Sequence, residues 1–273
     1  MIPINAITQW RKNANWIYQS QVEQDLVLSR ALVSLYQNEV IQNTLAFRGG
    51  TALNKLFVDE PARYSEDLDF VLIQDAPIGH ILSAIRDSLD HWLGQARYKQ
   101  SNRSARLIYR FQSEDKPPVP LRLKIEINTT EAFSLFGYQQ KSYAVDNQWF
   151  NSEATINTYC LEELMGTKLR ALYQRAKGRD LYDLWLGISH FKMDCEKVLE
   201  AFQHYNQFNK INISRAEFER NLLLKMKMQE FIKDATLVLA NRVHWQPEVG
   251  AELVMKKLVE KLPGEPWKLK EKA

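Results

Sequence analysis

Residues 67–73, Asp-Leu-Asp-Phe-Val-Leu-Ile, put two carboxylates at the mouth of an apolar run. In a strand, residues i and i+2 project to the same face, so Asp67 and Asp69 point one way while Leu68 and Phe70 point the other. Two like charges held side by side raise the proton affinity of one unless a cation compensates them. The stretch therefore calls for a buried strand whose entrance carries a compensated acidic pair. A bound Mg²⁺ is the usual form of that compensation.

The surrounding pattern supplies the rest of a mixed sheet. Residues 19–45 carry a broad apolar face at helical spacing and predict one long core helix. Phe47 ends a short apolar entry, Gly49 and Gly50 supply a permissive turn, and Thr51 is placed to cap the helix 52–57. A helix is expected over 79–96 from the spacing of Ile81, Ile85, Leu89 and Trp92. Strands are expected over 105–113 and 121–130, the second alternating Leu121, Leu123, Ile125 and Ile127 against Arg122, Lys124, Glu126 and Asn128. Residues up to about 155 read as a short strand or loop region. From Cys160 onward the pattern is helical nearly to the end, with Gly178 as a C-terminal cap, Asp180 as the next N-cap, and Ser214 with Glu217 at capping-box spacing. The predicted class is α+β: residues 1–155 hold an N-terminal helix and a mixed sheet core, and residues 156–273 form a C-terminal helical bundle.

Composition narrows the chemistry. The two cysteines, Cys160 and Cys195, and five scattered histidines form no zinc or redox spacing. Metal chemistry here runs on carboxylates, which favours Mg²⁺ or Mn²⁺. No apolar run approaches the length of a membrane span and no secretory leader is visible, so the cytoplasm is the expected compartment. Residues 1–165 carry 16 Lys and Arg against 19 Asp and Glu, whereas residues 166–273 carry 20 against 14. That asymmetry suits a polyanion gripped by the C-terminal half, for instance at Lys225 and Lys227; it equally suits a solvated helical surface.

Two glycines before a helix, an Asp-x-Asp strand entrance and a third acid on a later strand form one ordered set. A helix start behind glycines offers unpaired N–H groups to phosphate, so Gly49, Gly50 and the Thr51 hydroxyl become candidates for holding the phosphates of a nucleotide. Asp67, Asp69 and Glu126 become candidate metal ligands, with Glu126 alternatively a base or a simple partner of Arg122 or Lys124. Ser65 shares the face of Asp67 by strand parity. Carboxylates clustered in this way suit two-metal attack on an α-phosphate with loss of pyrophosphate.

The stretches "FRGGTALNKLF", "RYSEDLDFVL", "LKIEIN" and "TKLRALYQRAKGRDLYDLW" resemble the successive motifs of the AbiEii/AbiGii-type nucleotidyltransferase toxins, within the DNA polymerase β-like superfamily. The interval from Gly50 to Asp67 is longer than in many members of that superfamily. The resemblance implies a nucleotidyltransferase-like sheet core and an enzyme of a toxin–antitoxin or abortive-infection (phage defence) system. It implies transfer of a nucleotide from an NTP to RNA, with the tRNA 3′ end as acceptor and a cognate antitoxin as partner. A lysine inside the apolar stripe Leu161, Leu164, Lys168, Leu172, Arg175 must snorkel or meet an anion; the resemblance favours an anion and sets Lys168 on the triphosphate, with Arg175 beyond it. The family's Arg-Asp-x-x-Asp pattern falls on Arg179, Asp180 and Asp183, implying a role in the site, with Asp180 among the catalytic candidates. Two other functions fit the same residues: a phosphotransferase acting on a protein or small molecule, and a non-catalytic nucleotide-binding subunit.

Overall fold

The computed structural model describes residues 2–14, 16–240 and 244–268. The chain divides into two compact units, Met1–Tyr159 with Ala240–Arg242, and Cys160–Leu239 with Val243–Ala273.

The first unit opens with helices α1 (Ile4–Trp10), α2 (Gln19–Tyr36) and α3 (Glu39–Thr44), then β1 (Leu45–Arg48), α4 (Gly49–Leu56), β2 (Asp67–Leu72) and α5 (Ile78–Leu93). Strands β3 (Arg97–Gln100), β4 (Ser104–Gln112), β5 (Pro120–Asn128), β6 (Tyr138–Asn147) and β7 (Phe150–Tyr159) follow. They form one sheet in the order β3-β4-β5-β2-β1-β7-β6. β2 runs parallel to β5 and β1 parallel to β7, and the remaining neighbours are antiparallel. Alternation fixes the faces: Leu68, Phe70, Leu107, Leu123 and Ile125 join Leu28, Leu32 and Leu35 of α2 and Ile81, Ile85 and Leu89 of α5 in one buried core. Fully burying a side chain of this size contributes roughly 1.5–3 kcal/mol, so a one-residue slip of β2, which would turn Leu68 and Phe70 outward, is strongly disfavoured.

Several boundaries differ from the sequence expectation. The long helix over 19–45 is two helices, because the Asn38 side chain accepts from the Val40 N–H at 3.0 Å and starts α3 afresh. Residues 45–48 are a strand, not a helix end. Helix α4 begins at Gly49 itself, so Thr51 lies inside its first turn and caps nothing. β2 starts at Asp67, so Ser65 precedes the strand and its parity argument lapses. The stretch taken as a short strand or loop is a hairpin of two ten-residue strands, β6 and β7.

A buried ion pair pins α4 to α2. Lys55 Nζ donates to both oxygens of Asp25 at 2.8 and 2.7 Å, and Trp10 Nε1 donates to Asp25 Oδ2 at 2.9 Å. Burial alone would lower the Lys55 proton affinity, but the Asp25 charge outweighs it and the ammonium is kept.

The second unit is helical: α6 (Leu161–Gln174), α7 (Gly178–His190), α8 (Cys195–Phe208), α9 (Arg215–Lys225), α10 (Gln229–Thr236) and α11 (Pro247–Lys257). Ser214 and Glu217 do form the expected capping box at the start of α9. Gly178 is the first residue of α7 rather than the cap of α6; a Cβ there would come within 2.0 Å of the Phe231 carbonyl oxygen, so α10 needs glycine at that contact. Asp180 is correspondingly not an N-cap but lies inside the first turn of α7. Lys225 is also reassigned. Its ammonium is buried against the carbonyl oxygens of Leu172 and Tyr173 at the end of α6, and burial lowers its pKa to about 8, so its hydrogen bonds are spent on holding α9 to α6. No described helix is long and apolar enough to cross a membrane.

Candidate active site

β2 sits in the middle of the sheet, and register brings its acids to their neighbours. Asp67 lies beside Lys124 and Asp69 beside Glu126 on β5, while Arg48 of β1 faces Asp69 from the other side. Lys124 Nζ lies 2.8 Å from Asp67 Oδ2 and 3.2 Å from Glu126 Oε2; Arg106 of β4 takes Glu126 Oε1 at 2.7 Å. The compensating cation that the sequence called for is therefore, in part, Lys124.

The compensation is incomplete. Asp67 Oδ1 is buried without a hydrogen-bond partner among the described residues. Burial raises the proton affinity of Asp69 first, and the charges of Asp67 and Glu126 raise it further against Lys124 and Arg48. Burial would raise Glu126 as well, but Arg106 and Lys124 more than reverse it and hold that carboxyl below the usual range. Lys124 keeps its proton more tightly than usual, because Asp67, Asp69 and Glu126 outweigh its burial.

The start of α4 is fitted against the acids. Gly49 has φ +82°, and a Cβ built on it would lie 2.6 Å from Asp69 Oδ2. Only glycine tolerates both the left-handed backbone and that approach. The Thr51 hydroxyl lies 2.6 Å from the Asp67 carbonyl oxygen and 2.6 Å from Ser65 Oγ, tying the helix to the entrance of β2. Thus Gly49, Gly50, Thr51, Ser65, Asp67, Asp69 and Glu126 all gather around one end of β2.

As a metal site the set is uneven. Asp67 and Asp69 fit a hard cation: one offers a buried unpartnered oxygen and the other resists ionisation without added positive charge. Glu126 does not present itself in the same way, since both of its oxygens are taken. Among the described residues no three Asp, Glu, His or Cys side chains group as ligands of one ion.

A second cluster lies in the helical unit. Lys168 of α6 is enclosed and reaches Asp183 Oδ2 at 2.9 Å and Asp180 Oδ1 at 3.3 Å. Arg175, just past the end of α6, forks onto Asp180 with Nε–Oδ2 2.7 Å and Nη2–Oδ1 2.8 Å. Burial alone would raise Asp180, but Lys168 and Arg175 outweigh it and hold the carboxyl at about 2. Lys168, Arg175, Asp180 and Asp183 thus come together, and of the two outcomes open to a lysine in an apolar stripe the structure has the anion, here the two aspartates. Arg179 does not join them; its backbone N–H and guanidinium go to Asp234 at 3.1 and 3.6 Å.

Sequence reasoning gave Arg106 and Arg48 no place at the acids. Lys124 was named only as a partner for Glu126, though its parity with that residue on β5 did signal a shared face.

Residues 30–249 match the family described as nucleotidyl transferase AbiEii toxin, type IV toxin–antitoxin system. The chain belongs to this AbiEii family. It is accordingly a nucleotidyltransferase of the toxin class, and membership implies an NTP substrate and an antitoxin partner. The fold agrees with solved structures. MenT4, a nucleotidyltransferase toxin of Mycobacterium tuberculosis H37Rv, aligns with a TM-score of 0.66 at 17% identity, over 96% of this chain and 91% of MenT4. A chain described as a nucleotidyltransferase from H. pylori aligns with a TM-score of 0.51 at 20% identity, over 91% of this chain and all of that one. No curated protein matches the sequence.

Proposed function

We propose that this AbiEii protein transfers a nucleoside monophosphate from an NTP to RNA, with the tRNA 3′ end as acceptor and Mg²⁺ or Mn²⁺ held by Asp67 and Asp69. The observation that carries the reading is the buried, unpartnered Asp67 Oδ1 beside an Asp69 whose ionisation is resisted. When bound, the cation supplies positive charge to the triphosphate and to the attacking hydroxyl.

The chain's own groups position the reactants. N–H groups at the start of α4, from Gly49 and Gly50, face the phosphates. Thr51 and Ser65 fix the approach of that helix to β2 rather than touching phosphate. Lys124 shields the acids from each other, and with a cation held by Asp67 and Asp69 it would be available to a phosphate oxygen. Glu126, paired here with Lys124 and Arg106, would act as the base toward the attacking hydroxyl or as a further ligand only with those pairs broken. In the helical unit the Arg175 side chain is 55% exposed and Lys168 is enclosed, so of these two cations Arg175 is the one open to an anionic ligand. Asp180 and Asp183 act as positioning residues for these two cations.

Total RNA incubated with each NTP, labelled at the α- or the γ-phosphate, tests the reading. Label from the α-position should enter RNA, require a divalent cation, and vanish in Asp69→Asn. Entry of γ-label into a protein or small molecule would make the chain a phosphotransferase. Nucleotide binding without turnover would make it a non-catalytic subunit.

A further inference from the structure

Sheet register carries the face of the acidic pair outward to the sheet edge. One row runs Asp69, Glu126, Arg106, Lys99 across β2, β5, β4 and β3; the next runs Asp67, Lys124, Ile108, Arg97. Beyond them Arg110 of β4 stands directly opposite Arg122 of β5. Paired positions share a face, so these cations lie on the side bearing the acids and opposite the side bearing Leu68, Leu107 and Ile125. With strands about 4.8 Å apart, the rows extend about 14 Å from β2 to β3.

These cations are not accounted for by ion pairing. Arg106 serves Glu126, and Arg122 meets Glu66 at 3.2 Å in an exposed pair that contributes little. Arg97, Lys99 and Arg110 are exposed and make no ion pair among the described residues. Like charges directly opposite, as at Arg110 and Arg122, are destabilising in a sheet. A small anion would satisfy one point of such a surface; cations spread over three strands match a chain of regularly repeated negative charge.

We infer that this open face, from Arg97 and Lys99 through Arg110 and Arg122, is a track for the sugar–phosphate backbone of the RNA acceptor. The track lets the strand end arrive beside Asp67 and Asp69. The inference deepens the reading above, since it takes the acidic pair as the place of transfer. It also moves the polyanion grip away from the basic C-terminal half that charge counting favours.

The test uses the full chain, the triple variant Arg97→Glu/Lys99→Glu/Arg110→Glu, and a comparison variant Lys227→Glu/Lys256→Glu/Lys257→Glu in the helical unit. Binding of a fluorescein-labelled single-stranded RNA of mixed sequence is followed by anisotropy over a range of salt. The sheet variant should bind about tenfold or more weakly, with a log–log salt slope shallower by about 2 from three lost phosphate contacts, and the helical variant should change less. Stabilisation by NTP and divalent cation should be the same in all three proteins. Should the charge reversals disturb the sheet, the Gln versions of the same three positions should still weaken binding and flatten the slope. Equal RNA affinity in the sheet variants, a larger loss in the helical variant, or wild-type preference for polyglutamate over RNA would overturn the track. A chain that binds RNA along the track yet transfers no nucleotide would instead sink the proposed activity and leave the track standing.

Discussion

The two carboxylate clusters of this protein are built to opposite ends. In the sheet unit, Asp67 and Asp69 share a strand face, Asp67 Oδ1 has no partner among the described residues, and Asp69 resists ionisation. In the helical unit, Asp180 and Asp183 are fully enclosed, yet Lys168 and Arg175 neutralise them and Asp180 ionises at about 2. The first cluster is short of positive charge and the second is supplied with it. Buried acids alone do not mark a reaction centre; the shortage does, because an added cation has something to gain there.

The comparison is broken most directly by substituting one acid in each cluster. Asp69→Asn removes a repulsive charge, so folded stability should hold or rise while nucleotidyl transfer falls on the order of a thousandfold. Asp180→Asn should do the reverse to stability, because Arg175 loses its bidentate partner and Lys168 is left with Asp183 alone, at a cost of about 1–3 kcal/mol. Melts and transfer assays on both variants read the contrast. A destabilised Asp69→Asn that still transfers nucleotide would end the metal-site reading.

Lys168 comes next in size. Helix propensity alone treats Lys168→Ala as harmless. The ion pairs reverse that expectation: alanine would leave two aspartates buried beside a single guanidinium, and a loss of about 3 kcal/mol should appear in denaturant melts. Unchanged stability would mean that the lysine is there for a ligand and not for the aspartates.

Gly49→Ala probes the sheet cluster through its backbone. The variant forces a side chain into φ +82° and against Asp69 Oδ2. Strain of about 1–2 kcal/mol is expected, with transfer falling more than stability does because Asp69 is the atom displaced. Equal losses in both would make Gly49 a mere turn residue.

What the sequence disclosed follows from range. The acidic pair was legible because strand parity is a two-residue property, and so was the alternation of β5. Lys168 was legible as an anomaly in an apolar stripe, though not its partners. Ser65 and Asp180 were misread because an error of one or two residues in an element's start changes what a side chain does. The β6–β7 hairpin escaped because most of its residues are polar on both faces, so no apolar alternation marks it until Ile156. Arg48, Arg106 and the Arg97–Lys99–Arg110 surface depend on cross-strand register, which no local pattern encodes.

Glu23 offers the smallest and sharpest check on the contrast. It is another buried acid, on α2, and its pKa is raised to about 7, first by burial and then by Glu114 and Asp115, against one backbone hydrogen bond from Glu114 at 2.9 Å. If raised proton affinity by itself made a reaction centre, Glu23 would be one; it lies inside α2, with no glycine-fronted helix start fitted against it. A group with its folded pKa above its unfolded value contributes stability below the unfolded pKa of 4.5 and loses it as pH rises through about 7. Wild-type stability should therefore decline over that window by up to about 2 kcal/mol, and Glu23→Gln should flatten the decline while leaving transfer unchanged. Melts from about pH 5 to about pH 8, paired with transfer assays at the upper end, make the measurement. Lost transfer in a stable Glu23→Gln protein would mean that the shortage of positive charge at Asp67 and Asp69 is not what singles them out.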